Sequence, residues 1–260
     1  MKKVKDVLND KRPLITPLLG ADTADGLVQE IRDSLEQGAD AIGLTLEHLP
    51  AELRTEPMLR RYIAAADGKP VYVTCYQRSD CIEESDDDRA ETLLRALDCG
   101  AAIVDLRGDM FCPCDGEMTD DPVAVQKQIA LIDRIHAAGG LALMSTHRFF
   151  EDGVHFLPRD EALRIALEQA RRGADIAKIV TAANTEEELA ECFETLLLLN
   201  KEVPVPVVFL CSGKLGLRHR VACGLIGEAM VFTKEKHHAQ EGAMQLPIET
   251  IAGVFRTAGM

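Results

Sequence analysis

The chain has 260 residues, 47% hydrophobic and 28% charged with 11 prolines, a balance that describes a folded protein with a sizeable core and excludes disordered or low-complexity blocks. A formal net charge of -14 argues against nucleic acid and against an anionic membrane surface, both of which attract dense positive patches, and no apolar run is long enough to cross a bilayer. The start, Met1-Lys2-Lys3-Val4-Lys5-Asp6, runs on into Asn9, Asp10, Lys11 and Arg12 rather than a signal-peptide core, so a cytoplasmic protein is expected and its eight cysteines are expected as reduced thiols.

In chain order, apolar runs predict strands at Leu14–Leu18, Ala41–Leu46, Val71–Thr74, Ala102–Leu106, Leu141–Ser145, Ile176–Val180, Val205–Leu210 and Met230–Phe232. Amphipathic periodicity between them predicts helices over Gly26–Gln37, Asp87–Asp98, Val123–Ala138, Arg159–Arg172 and Thr185–Asn200. Three helix exits are near copies: Gln37-Gly38-Ala39-Asp40-Ala41-Ile42, Cys99-Gly100-Ala101-Ala102-Ile103 and Arg172-Gly173-Ala174-Asp175-Ile176. In each, a left-handed glycine stops the helix and feeds the next strand. Eight such units, repeating at about thirty residues, predict an α/β fold: a (β/α)8 TIM barrel, read as one domain over residues 1–260. A doubly wound open sheet is the competitor, but Leu18-Leu19-Gly20-Ala21-Asp22 has one glycine where a dinucleotide-binding loop needs several. Thr185-Glu186-Glu187-Glu188 reads as a capping box, and Glu83-Glu84-Ser85-Asp86-Asp87-Asp88 as a solvated helix entry from which a carboxylate is able to face a site.

Barrels place chemistry at the carboxyl ends of their strands, which selects a few side chains. In Leu141-Ala142-Leu143-Met144-Ser145-Thr146-His147, the period of two puts His147 just past strand five on the face of Leu141 and Leu143. In Gly173-Ala174-Asp175-Ile176-Ala177-Lys178-Ile179-Val180, Lys178 shares its face with Ile176 and Val180 and is aimed at a core. An amine in apolar surroundings loses hydration and becomes a nucleophile for a ketone; the alternative is a lysine near a strand end that reaches water. After strand seven, Cys211-Ser212-Gly213-Lys214-Leu215-Gly216-Leu217-Arg218-His219-Arg220 supplies the local positive charge that a net-acidic enzyme needs for an anion, with Arg220 able to grip a carboxylate. Lys214 and Arg218 read as an ordinary helix start. Cys112-Pro113-Cys114-Asp115 has the wrong spacing for zinc, adjacent His237 and His238 point apart, and neither a metal nor a cofactor is expected.

With these residues in place the chain resembles type I 3-dehydroquinate dehydratase (type I dehydroquinase) from its first strand to its last. The most specific likeness is the strand-six run Ala174-Asp175-Ile176-Ala177-Lys178-Ile179, with His147 after strand five and Arg220 after strand seven. The resemblance implies a cytoplasmic lyase of the shikimate pathway that dehydrates 3-dehydroquinate to 3-dehydroshikimate. Lys178 would form the Schiff base, His147 would be the general acid and base, and Arg220 would hold the carboxylate of a small anionic substrate. It also implies a homodimer. Departures accompany it. The family's strand-two Glu-x-Arg pair, which contacts substrate hydroxyls, aligns with Gly43 and Thr45, and its strand-three arginine aligns with Tyr76, two residues before Arg78. The carboxylate that orients the histidine would come from Asp80, Glu83 or Glu84. In the last loop the family serine appears as Ala239, and its glutamine is lost at Ala243 or displaced to Gln245. Either Glu47, Thr45 and Arg78 read the hydroxyls by another route, or the chain is a divergent Schiff-base lyase or aldolase on another oxo acid, or a non-catalytic barrel homologue.

Overall fold

The computed structural model describes residues 8, 12–77, 84–150, 153–234 and 244–260. Every predicted strand and helix forms, with ends shifted by at most two residues: β1 (Leu14–Leu19), α1 (Ala24–Glu36), β2 (Ile42–Thr45), α2 (Glu56–Ala65), β3 (Val71–Thr74), α3 (Asp86–Asp98), β4 (Ile103–Arg107), α4 (Pro122–Ala137), β5 (Leu141–His147), α5 (Arg159–Arg171), β6 (Ile176–Ala182), α6 (Glu186–Glu202), β7 (Val207–Ser212), α7 (Gly216–Ala222), β8 (Met230–Lys234) and α8 (Ile248–Ala258). A small hairpin, Phe149–Phe150 with Gly153–Val154, follows β5, and Leu246–Pro247 adds a short parallel strand to β8. Among the described residues no helix is long and apolar enough to cross a membrane.

Local chemistry sets the element ends as the sequence predicts. Gly38, Gly100 and Gly173 take φ of 100°, 112° and 102°, which a side chain resists, and each turns a helix into the following strand. Thr185 and Glu188 form the expected capping box at α6, and Ser85 with Asp88 forms a second at α3. Elsewhere in the acidic run, Glu84 pairs with Arg54, and Asp86 pairs with Arg89 and accepts the Phe111 N–H.

The eight strands pair in parallel in the order β8, β1, β2, β3, β4, β5, β6, β7. The seam between β7 and β8 is bridged by Ala229, whose N–H donates to Val207 C=O at 2.9 Å while its C=O accepts from Leu14 N–H at 3.1 Å. Glu228 adds to it, buried and accepting the Phe209 N–H at 2.7 Å. The curled sheet thereby has an inside. One apolar cluster draws from opposite walls, including Leu14, Tyr72, Leu143, Ile176, Val208 and Phe232, and the Tyr72 and Phe232 rings stack across the interior at 5.2 Å. The alternate residues, Ala177, Ile179, Phe209 and Val231 among them, join the helices in a second core outside the sheet.

Candidate active site

The carboxyl ends of the strands enclose a cavity of about 780 Å³ whose lining includes Lys178, His147, Arg220, Glu47, Thr45 and Gln245. The structure thus brings six of the sequence-selected residues together. Arg78, Asp80, Glu83, His237, His238, Ala239 and Ala243 lie outside the described residues.

Lys178 points into the barrel, 4% exposed, as the alternation of β6 requires. Its surroundings correct the sequence expectation of an apolar sleeve. Nζ lies 3.0 Å from Asp105 Oδ2 on β4, 2.7 Å from Tyr76 Oη and 3.2 Å from Tyr72 Oη. The rings of Tyr76 and Phe232 stand 5.2 Å from the amine and that of Tyr72 5.9 Å, so aromatic faces and a buried carboxylate hold it together. Both phenols also donate to Asp105 Oδ2. Burial, followed by the charge of Asp105, pushes both phenols well above their ordinary pKa and keeps them protonated.

His147 ends β5, 7% exposed, beside Val180 in the ladder, while Ser145 sits beside Lys178. His147 is therefore one inward position nearer the mouth than Lys178, roughly 7 Å along the strand between backbone positions. Among the described residues the carboxylate that orients the His147 ring is Glu117, outside the expected set; Glu84 pairs with Arg54 instead, and Asp80 and Glu83 lie outside the described residues. Glu117 Oε2 accepts from Nδ1 at 2.6 Å and from the His147 backbone N–H at 3.0 Å. Burial raises the Glu117 pKa, but the bond and charge of His147 and the charge of Arg107 outweigh it and leave the group below its ordinary value, so it is ionised. Arg107 Nη1 lies 3.6 Å from Glu117 and grips Asp109 with two bonds of 2.9 Å.

A loop, rather than a strand, delivers Glu117. Its backbone has φ of 51°, in the left-handed region where a glutamate is strained. Gly108 permits the arrangement, because a Cβ there would meet Met118 Sδ at 2.6 Å and Glu117 O at 2.7 Å. The loop is then tied from outside: Gln128 Nε2 donates to Gly108 and Met110 carbonyls at 3.0 and 2.9 Å, and buried Arg172 reaches Gly108 O at 3.2 Å and Thr119 O at 2.6 Å.

Arg220 on α7 is 7% exposed and donates from Nε to Cys211 C=O at 2.7 Å. Burial pulls its pKa below the usual guanidinium value, and among the described residues no carboxylate forms an ion pair with it, so it offers charge to an anion. Glu47 accepts twice from Thr74 Oγ1, at 3.0 and 2.8 Å, and burial raises its pKa. Thr45 spends its hydroxyl proton on Leu19 C=O at 2.9 Å. At Gly43 there is no room: a Cβ would lie 2.6 Å from Leu18 Cδ2, 2.9 Å from Pro17 O and 3.3 Å from Tyr72 Cδ1.

The residues that sequence reasoning missed are Asp105, Tyr72, Arg107 and Glu117, together with the role of Tyr76, noted there only as the place of a family arginine. Asp105 had a signal, being a carboxylate inside an otherwise apolar strand, two residues from Ile103 on the inner face. Glu117, in an irregular loop, had none.

Comparison with known proteins points to one family. A family model described as Type I 3-dehydroquinase matches residues 15–260. The 3-dehydroquinate dehydratase of Klebsiella pneumoniae is 27% identical over 225 residues, covering 84% of this chain and 83% of that one. That of Geobacillus thermodenitrificans is 26% identical over 140 residues, 54% of this chain and 52% of that one. In structure, the 3-dehydroquinate dehydratase of Geobacillus kaustophilus superposes with a TM-score of 0.81 at 15% identity, covering 99% and 96% of the two chains. The type I 3-dehydroquinate dehydratase of Clostridium difficile, solved with covalently modified comenic acid, gives 0.82 at 14%, covering 99% and 97%.

Proposed function

The chain belongs to the type I 3-dehydroquinase family, and from that premise we propose that it is a hydro-lyase dehydrating 3-dehydroquinate to 3-dehydroshikimate through a Schiff base on Lys178. The observation that carries this reading is the convergence on one cavity of a buried lysine, an oriented histidine and an arginine with no carboxylate partner among the described residues. Lys178 condenses with the substrate ketone, and the iminium draws electrons far better than the ketone did. Glu117 keeps the proton of His147 on Nδ1, so Nε2 takes the proton from the carbon next to the iminium and then returns it to the departing hydroxyl. Arg220 holds the substrate carboxylate, with Gln245 lining the same cavity. Glu47 and Thr45 read the ring, joined by Arg78. The substrate on this reading is a small anion, and the enzyme a cytoplasmic homodimer, whose mass in solution sedimentation would report.

A second reading is favoured by one observation. The place of the family's strand-two glutamate is taken up by Leu18 and Tyr72, so the hydroxyl-reading pair is absent and its space is closed. A divergent lyase or aldolase acting on another oxo acid fits that wall, because an unread hydroxyl against it loses its hydrogen bonds. Incubation with 3-dehydroquinate, reduction with borohydride and mass analysis separate the readings. A mass gain on Lys178 together with enone absorbance is expected. Trapping only with other oxo acids supports the second reading, and trapping with none makes the chain a non-catalytic homologue.

A further inference from the structure

We propose that Tyr76, working through Asp105, is the catalytic acid that carries protons during formation of the Schiff base, a role separate from that of His147 in the dehydration that follows. The inference rests on the reading of Lys178 as the imine-forming amine. Several observations support it. Tyr76 Oη is the nearest hydrogen-bond partner of Nζ, at 2.7 Å, and the same oxygen donates to Asp105 Oδ2, which is itself 3.0 Å from Nζ. Nitrogen, carboxylate and phenol therefore form a closed ring of hydrogen bonds around the atom that attacks. Tyr76 is half-buried at the cavity wall, with its ring edge-on to His147 at 5.4 Å and its oxygen 3.3 Å from Ser145 Oγ. Tyr72, by contrast, is fully buried, stacked on Phe232 and 3.2 Å from the amine, and serves as the floor. Asp105 is buried, and its second oxygen, Oδ1, has no hydrogen-bond partner among the described residues, which suits a carboxylate that gains and loses a proton in turnover. The position of Tyr76 is one where the family resemblance implies an arginine, which lacks a proton to lend.

The step balances as follows. The Lys178 ammonium gives a proton to Asp105, and the amine attacks the ketone carbon as the carbonyl π pair moves onto oxygen. That oxygen takes the Tyr76 proton, and Asp105 restores the phenol. A second proton follows the same path from nitrogen to the carbinol oxygen. The C–O bond then breaks with its pair leaving on water, and the nitrogen lone pair closes the C=N bond. An ammonium and a ketone become an iminium and a water, with charge conserved.

Two carbonyl probes test this on the full chain: 3-dehydroquinate, trapped with borohydride over time, and pentane-2,4-dione, whose condensation with a reactive lysine gives a conjugated enaminone read by absorbance. Tyr76→Phe is expected to slow adduct formation with both probes by about 100-fold while its melting temperature stays near wild type. Tyr72→Phe, which removes the other phenol bound to the same carboxylate, is expected to slow the adduct far less than Tyr76→Phe does. Tyr76→Phe at the wild-type rate, or Tyr72→Phe slowed as much as Tyr76→Phe, overturns the proposal. Should Tyr76→Phe not fold, Asp105→Asn interrupts the same path, and an unchanged rate there overturns it equally. A wild type that condenses with the dione alone removes 3-dehydroquinate as substrate, and the dione rates then decide for or against Tyr76. A wild type that condenses with neither probe overturns the proposal.

Discussion

His147 shows how much one side chain depends on its neighbours. Its position at the end of β5 gives it the cavity, and Glu117 decides which ring nitrogen bears the proton. On the proposed reading Lys178 meets its own proton acceptor in Asp105, 3.0 Å away, so imine formation and proton abstraction fall to two sets of residues. His147→Ala should therefore still give a borohydride-trapped adduct while turnover falls by about 10² to 10⁴, as loss of a general base does. The check is mass analysis of the adduct beside a steady-state assay, and unchanged turnover would remove the base assignment. The residues read from the sequence at this scale were those whose role follows from strand alternation, Lys178 and His147. Tyr76 entered only as the place of a family arginine and Glu117 escaped notice, because a phenol near a strand end and a glutamate in a loop have no periodicity to betray them.

Among the elements, the loop after β4 and the seam between β7 and β8 shape the site most. Gly108→Ala would drive a methyl group into the Glu117 carbonyl and the Met118 sulfur, a strain worth about 1–3 kcal/mol. Since the displaced segment carries the carboxylate that orients His147, kcat should fall more than KM rises, although the substituted position bears no chemistry. Kinetics and denaturant unfolding of the same variant check both halves. At the seam, burial holds the Glu228 carboxyl well above its ordinary pKa, which favours its protonated form. Glu228→Gln should then leave stability within about 1 kcal/mol of wild type, and Glu228→Ala, which abandons the Phe209 N–H, should lose about 1–3 kcal/mol in urea titration. The helix exits at Gly38, Gly100 and Gly173 were legible because a positive φ selects glycine. The strained turn at Glu117 was illegible because there the tertiary fold overrides the local preference.

For the whole molecule, stability toward acid turns on His219, fully buried between the rings of Phe193 and Phe209. Burial, reinforced by the charge of Arg220, pulls its pKa down to about 4. The unfolded chain binds a proton below about pH 6.5 that the folded chain refuses until about pH 4, so stability falls as pH drops through that window, by at most about 3 kcal/mol. His219→Phe should flatten this loss, measured as the difference between urea midpoints at pH 7 and pH 5, and an undiminished difference would place the acid sensitivity elsewhere.

Alternation by itself determined which faces of β5 and β6 turn inward, and the repeated glycine exits determined that such strands recur as βα units. Both are local, set by the geometry of a few consecutive residues. What Lys178 touches was decided only when the sheet curled, bringing Asp105 and the phenols of Tyr72 and Tyr76 from β4 and the β3 side onto one nitrogen across tens of residues of chain. The closing of the wall at Gly43 by Leu18 and Tyr72 belongs to the same class. Contacts of that kind follow from register and curvature, which are properties of the closed sheet and are written in no single stretch of the chain.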